Sequence, residues 1–257
     1  MPTRSERKVW RSLRQRKGRD AAGWFMAEGP RLLLELLQAD ASVEVVLAEQ
    51  GAEDDPTVRD LLTRSRGAGW RVDVVERRVV EEIADTQNPQ SVLAIAEIPG
   101  WTWDDMAPGL IVILDGVQDP GNVGALIRTA VSLGASGAVA LEHTADPWGP
   151  KAVRASAGAG LRRPLFRADR ASTIDELARR KVPLWIATAD GEPIGHAPIA
   201  GPRLALALGG ETSGTSPELD SAATRRVAVE MSAGMESLNV AAAGAILLDR
   251  IMGAGQS

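Results

Sequence analysis

The apolar positions of this chain fall into two regimes. Residues 5–17 carry a narrow stripe of Val9, Trp10 and Leu13 ended by Gly18, which predicts a helix. Pro30 followed by leucines at 32, 33, 34, 36 and 37 predicts a second helix with one buried face. Val43–Ala48 reads as a strand, Asp55-Pro56 and Gly67 bracket a helix, and Trp70–Val75 reads as a strand. A short helix over 77–84 and a strand over Ser91–Ile98 follow. This alternation predicts a small α/β sandwich spanning residues 1–97. Residues 98–108 are rich in Pro, Gly and acid without periodicity, and read as a linker.

From residue 109 the pattern changes. Leu110–Asp115 is an apolar run ending in an acid, and DGVQDPGNVG is a turn-rich loop that opens a helix through Ser132. Further continuous runs at Gly137–Leu141, Pro183–Thr188, Leu204–Leu208 and Arg226–Val229 are mostly separated by helical stretches. They predict a mostly parallel sheet, covered on both faces, over residues 109–257. The last run, Ser237–Ile251, reads SLNVAAAGAILLDRI and is apolar or small on nearly every face. It predicts a buried helix with Ser237 at its N-cap and Asn239 projecting from its start, where free N–H groups favour electron-rich ligands.

Composition narrows the chemistry. With 257 residues, 44% apolar and 25% charged, the chain has ordinary globular values, and its seven Trp, two Phe and absent Tyr argue against an aromatic base-stacking platform. There is no cysteine, so disulfides, thiol nucleophiles and cysteine metal sites are excluded. His143 and His196 stand alone without ligand spacing, and no metal is expected. No apolar run approaches a membrane span, so no membrane association and a cytoplasmic location are expected.

The net charge is −5, yet eight Lys or Arg and one acid lie between Arg4 and Arg19. A second basic cluster runs through Lys151, Arg154, Arg162, Arg163 and Arg167. Local basic footprints on an acidic body suit docking on phosphate, and Arg7, Lys8, Arg11, Arg14, Lys151 and Arg154 are the candidate nucleic-acid contacts. A solvated helix face accounts for the same charges.

Three loops follow buried strands, where open α/β sheets bind ligands. The first, DGVQDPGNVGALIRTA, carries Asn122 and Arg128; the second, LALALGGETSGTSPEL, carries Gly209, Gly210 and Glu211; the third is VAVEMSAGMESLNV. GxGxxG, the phosphate-cradling GxxxxGK and GxSxG are all missing, which disfavours a dinucleotide enzyme on an ordinary doubly wound sheet, a P-loop and a hydrolase elbow. In this order, DPGNVGALIRTA, LGGETSG and MESLNVAAAGAILL resemble the three signature motifs of the SpoU (TrmH-like) branch of the SPOUT RNA ribose methyltransferases. KAVRASAGAGLRRPLF is similar to that family's helix after the second strand. MAEGPRLLLELL and TQNPQSVLAIAEI resemble its usual L30e-like RNA-binding domain.

The resemblance implies an L30e-like α/β sandwich followed by a trefoil-knotted SPOUT domain, acting as a homodimer. It implies 2′-O-methyl transfer from S-adenosyl-L-methionine to a ribose of structured RNA. Ribosomal RNA is favoured over tRNA because the chain has an L30e-like N-terminal domain and a short tail after Ile251. Gly209, Val229 and Leu238 match cofactor contacts, with Gly210, Met231 and Thr188 beside them. Asn122, Arg128, Glu211, Ser237 and Asn239 match the residues associated with catalysis and ribose placement, with Glu211 expected to hold Arg128. Glu230 stands where the family commonly has a proline. A catalytically silent dimeric RNA-binding protein is the competing reading, and it has no need of all five polar residues.

Overall fold

In the computed structural model, which describes residues 1–195, 202–211, 213–231 and 238–253, the basic N-terminal stretch folds as two helices rather than one. Helix α1 (Arg4–Ser12) starts on a Thr3/Glu6 capping box, and α2 (Arg16–Ala22) ends on Gly23 at φ +69°. Gly18 does not stop the first helix. It lies inside α2, where a Cβ would sit 2.1 Å from the Ser12 carbonyl oxygen, so the second helix can pack against the end of the first only without a side chain. Trp10 and Leu13 are buried but Val9 is 42% exposed, which leaves the apolar stripe narrower than expected.

Two compact units make up the chain: Met1–Pro99 with Trp148–Leu161, and Gly100–Pro147 with Arg162–Ser257. In the first, β1 (Trp24–Glu28), α3 (Pro30–Gln38), β2 (Val43–Glu49), α4 (Pro56–Gly67), β3 (Val72–Val75), α5 (Arg77–Ile83) and β4 (Val92–Glu97) follow α2. Strand β1 carries no alternation because four of its five residues are buried, and its pattern merges with the helix that follows. The sheet order is β1-β4-β2-β3, with β4 antiparallel to both neighbours and β3 parallel to β2. Trp10, Leu13, Met26, Leu47, Ile83 and Ile95 meet in its core.

One ion-pair network on this unit reports on pH. Arg71 donates to Glu6 and Asp73 at 2.5 and 2.6 Å, and its guanidinium holds the Glu6 carboxyl down at about 2, from an ordinary 4.5. A depressed carboxyl contributes stability above the unfolded value and loses it as pH falls toward the folded one. Glu6→Gln is therefore expected to lower the melting temperature at pH 7 and to converge with wild type near pH 2; equal melting at pH 7 contradicts this.

The second unit contains β5 (Gly109–Asp115), α6 (Pro120–Ser132) and β6 (Gly137–Ala140). The chain then passes through α7 (Pro150–Ser156), which belongs to the first unit, before β7 (Leu165–Arg167), α8 (Arg170–Arg179), β8 (Leu184–Pro193) and β9 (Arg203–Gly209). Helix α9 (Pro217–Ala222), β10 (Arg225–Ala228) and α10 (Val240–Gly253) complete it. The six strands run in the order β10-β8-β9-β5-β6-β7, and every adjacent pair is parallel. All carboxyl ends therefore face one edge of the sheet. The passage from β10 to α10, where the knot is expected, includes residues 232–237, which lie outside the described residues.

Gly244 on α10 is buried, and a Cβ there would lie 2.3 Å from a methyl group of Leu126 on α6. This glycine lets α10 pack closely against α6 within the chain.

Candidate active site

The loops at the carboxyl edge are held by a buried acid. Asp115 ends β5 at 2% exposure, accepts 2.9 Å from Arg170 Nε and accepts 2.7 Å from the backbone N–H of Ser216. The second bond pins the exit of the loop after β9, whose entry is closed by reciprocal backbone bonds between Gly210 and Gly214 at 2.9 and 3.1 Å. Asp115→Asn would set an amide donor or a single acceptor where two donors converge. It is expected to cost about 2 kcal/mol of stability, read as a lowered denaturation midpoint. An unchanged midpoint would remove Asp115 from this role.

That loop walls a cavity of about 340 Å³ at the ends of β8, β9 and β10, within the size range of small-ligand sites. Its apolar wall includes Ala187, Leu208, Val227, Val240 and Leu247. Gly209, Gly210, Val229, Met231, Leu238 and Thr188, the six expected cofactor contacts, all line it. Two glycines are required where the backbone passes closest. A Cβ on Gly209 would sit 2.1 Å from the Gly214 carbonyl carbon, and one on Gly210 would sit 2.5 Å from the Gly116 carbonyl oxygen. Glu230, the residue in place of proline, is exposed and does not line the cavity.

At the rim stands a cluster of two amides and a carboxylate. Helix α10 starts at Val240, so Asn239 rather than Ser237 occupies the cap: its Oδ1 accepts from the N–H groups of Ala241 at 3.0 Å and Ala242 at 3.3 Å. The cap fixes the amide's orientation, since the oxygen must face the helix. Asn239 Nδ2 then points to Glu211 Oε1 and Asn122 Oδ1, each at 3.3 Å. Asn122 is held likewise by α6, whose N-cap Asp119 accepts from its N–H at 3.0 Å, and its Nδ2 donates 2.5 Å to Glu211 Oε1. A smaller cavity of about 90 Å³ shares Gly210, Glu211 and Ser213 with the first and is walled by Gly116, Gln118 and Asp119. Glu211 thus stands on the seam between two hollows.

Arg128 is not part of the cluster. It lies six residues beyond Asn122 on α6, about 240° round the helix, is exposed, and makes no ion pair with Glu211. Ser237 falls outside the described residues. Among the described residues no group of three or more acidic or histidine side chains is arranged to hold a metal ion. His143 sits in an exposed turn at φ +64°, and His196 is outside the described residues.

The six expected RNA contacts all belong to the first unit. Lys8, Arg11 and Lys151 are exposed. Arg7 pairs with Glu82 at 2.9 Å, and Arg14 donates to the carbonyl oxygens of Glu81, Glu82 and Ile83 at the end of α5. Arg154 lies 3.4 Å from Asp85 and 3.8 Å from Glu28. Arg7, Arg14 and Arg154 are thus engaged within the unit.

A parallel sheet with a glycine-cradled cavity at its carboxyl edge and a carboxylate–amide cluster on the rim defines a small-ligand enzyme of the α/β class. The SpoU rRNA Methylase family matches residues 109–249, more than half of the chain, and the chain belongs to that family. The MRM3-like substrate binding domain matches residues 6–94. The chain is 29% identical over 248 residues to the 23S rRNA (guanosine(2553)-2′-O)-methyltransferase RlmP of Bacillus subtilis, covering 96% of this chain and 95% of that protein. It is 32% identical to a 23S rRNA (adenosine(1067)-2′-O)-methyltransferase of Streptomyces laurentii, covering 78% of this chain and 76% of that one. Among solved structures, the SpoU methyltransferase AviRb from Streptomyces viridochromogenes, in complex with AdoMet, superposes with a TM-score of 0.89 at 25% identity, covering 99% of both chains.

Sequence reasoning missed Asp115 as an anchor, Ser213 as a wall residue and the second hollow at Gln118 and Asp119. The acid at the end of the strand was visible, but its partners Arg170 and Ser216 are too distant in sequence to be paired with it by pattern.

Proposed function

We propose that this protein is an S-adenosylmethionine-dependent RNA ribose 2′-O-methyltransferase acting on large-subunit ribosomal RNA, working as a homodimer in the cytoplasm. The observation that carries the reading is the seam at Glu211, where the large cavity meets the small hollow beside two oriented amides. The cavity fits the cofactor by its volume, by an apolar wall suited to an adenine ring and by Gly209 and Gly210, whose missing side chains let the loop backbone close beside it. S-adenosylmethionine, when bound, supplies a sulfonium methyl group that needs no activation.

The chain's task is then to align a weakly acidic ribose hydroxyl and to manage one proton. Asn122 and Asn239 hold Glu211 by Oε1, and Oε2 has no hydrogen-bond partner among the described residues. That oxygen takes the 2′-hydroxyl proton as the ribose oxygen becomes nucleophilic. Arg128 cannot lose its own proton in a protein; standing apart from Glu211, it contributes positive charge to the RNA phosphate and the developing alkoxide from outside the amide–carboxylate cluster. The exposed Lys8, Arg11 and Lys151 contact the RNA backbone, with Arg7, Arg14 and Arg154 shaping the surface they stand on. The match of residues 6–94 to a substrate binding domain supports RNA docking on the part of this surface that carries Arg7, Lys8, Arg11 and Arg14.

Calorimetry and a transfer assay test the reading together. Pure protein is expected to bind S-adenosylmethionine and not NAD, and to move labelled methyl groups into ribosomal RNA fragments but not tRNA. Failure to bind S-adenosylmethionine contradicts the cofactor assignment; transfer to tRNA alone contradicts the substrate.

A further inference from the structure

Strand β8 does not pair with β10 along its whole length. Arg226 lies opposite Ile186, but the next residue, Val227, lies opposite Glu192, so residues 187–191 leave the ladder as a wide bulge. Gly191 closes it, since a Cβ there would lie 2.7 Å from the Val227 carbonyl carbon. The excursion carries Ala187, Thr188 and Ala189 onto the wall of the large cavity and sets Asp190 beside them.

A directed chain of polar contacts runs through the bulge. Thr188 Oγ1 donates to Asp190 Oδ1 at 2.5 Å, and Arg226 Nη2 donates to both Asp190 oxygens at 3.3 and 3.4 Å. The Thr188 hydroxyl and then Arg226 hold the Asp190 carboxyl below the usual range, so it is a carboxylate that can only accept. A threonine hydroxyl has one proton. With that proton committed to Asp190, the oxygen offers a ligand lone pairs and nothing else.

We propose that Asp190, which accepts from Arg226 in an exposed ion pair, orients Thr188 as a hydrogen-bond acceptor in the cavity wall, making Thr188 a specificity residue for a hydrogen-bond donor of the bound nucleoside cofactor. The inference rests on the methyltransferase reading. S-adenosylmethionine offers donors in the adenine 6-amino group, the ammonium of its methionine arm and the two ribose hydroxyls. Its carboxylate, an acceptor, does not suit this position. Asp190 acts through Thr188 and is a positioning residue.

Calorimetry with S-adenosylhomocysteine tests this without RNA or turnover. Thr188→Val is expected to weaken binding about 5-fold, the worth of one ordinary hydrogen bond, and Thr188→Ser to restore it. Asp190→Ala is expected to weaken binding about 3-fold, and the double variant Asp190→Ala/Thr188→Val to bind no worse than Thr188→Val alone, because the two act as one unit. Two analogues locate the donor: 5′-methylthioadenosine keeps the 6-amino group without the ammonium, and the 6-deamino (purine riboside) analogue of S-adenosylhomocysteine keeps the ammonium without the 6-amino group, so a loss that persists for both points to a ribose hydroxyl. The Thr188→Val loss should persist for the analogue that retains the partner. Equal binding by wild type and Thr188→Val, failure of Thr188→Ser to restore affinity, additive losses in the double variant, or a loss that persists for neither analogue overturns the inference. Wild-type protein that binds no S-adenosylhomocysteine overturns the cofactor reading instead.

Discussion

Arg128→Ala is expected to reduce methyl transfer by about 100-fold to 1,000-fold, the scale on which losing one charged donor to a developing oxyanion is felt, with Arg128 acting from outside the amide–carboxylate cluster. Cofactor affinity should stay close to wild type, because Arg128 does not line the cavity and makes no bond to Glu211 or the asparagines beside it. Stability should hardly move, since an exposed helix position is being changed to the residue of best helix propensity. The pattern to look for is a fall in kcat with an unaltered dissociation constant for S-adenosylmethionine. Arg128→Lys separates charge from geometry: partial activity points to charge, and none points to the planar guanidinium. Transfer by Arg128→Ala at near wild-type rate would remove the residue from the chemistry.

Gly209→Ala is expected to lower cofactor affinity about 100-fold or more, with a smaller loss of stability. The added methyl would lie 2.1 Å from the Gly214 carbonyl carbon and 2.3 Å from the Thr215 nitrogen. Both are backbone atoms, so no side-chain rotation relieves the clash. The loop must open, which breaks the Gly210–Gly214 bonds and moves Glu211 away from Asn122 and Asn239. Gly137→Ala, whose Cβ would lie 2.7 Å from the Pro164 carbonyl oxygen at the amino end of β6, is a control for backbone crowding elsewhere in the unit. Titration of S-adenosylhomocysteine into Gly209→Ala reads the effect, and wild-type affinity would show that the loop tolerates a wider course.

Much of the architecture was legible because local chemistry and periodicity agree. Asp55 caps α4 by accepting from Thr57 and is followed by Pro56, and the run to Asp115 is buried throughout, as its unbroken apolar pattern implied. Strands β1 and β7 were not legible. The first is buried without alternation and runs straight into a helix signal; the second has three residues. The cofactor-side residues were legible since each lies near the carboxyl end of a strand, and parallel strands bring those ends to one edge.

What sequence could not supply was side-chain direction. Glu211 was expected to hold Arg128, but the cap at Asn239 turns an amide toward Glu211 and α6 turns Arg128 elsewhere. The expected cap at Ser237 lay two residues early because Ser237 and Asn239 are both good caps, and only the start of α10 at Val240 decides between them. Similarly, the basic run at the N-terminus looked uniformly available. Arg7 and Arg14 are drawn to the end of α5, about seventy residues away, a pairing no local pattern reveals.

The central claim is methyl transfer to a ribose oxygen of ribosomal RNA, and mapping 2′-O-methyl positions across ribosomal and transfer RNA, with and without this protein, tests it most directly. The expected result is a 2′-O-methyl mark in large-subunit ribosomal RNA that appears with the wild-type protein, disappears with Arg128→Ala, and leaves tRNA unchanged. Identical maps in the presence and absence of a protein that binds S-adenosylmethionine, or a new mark on a base instead of a ribose, would contradict it.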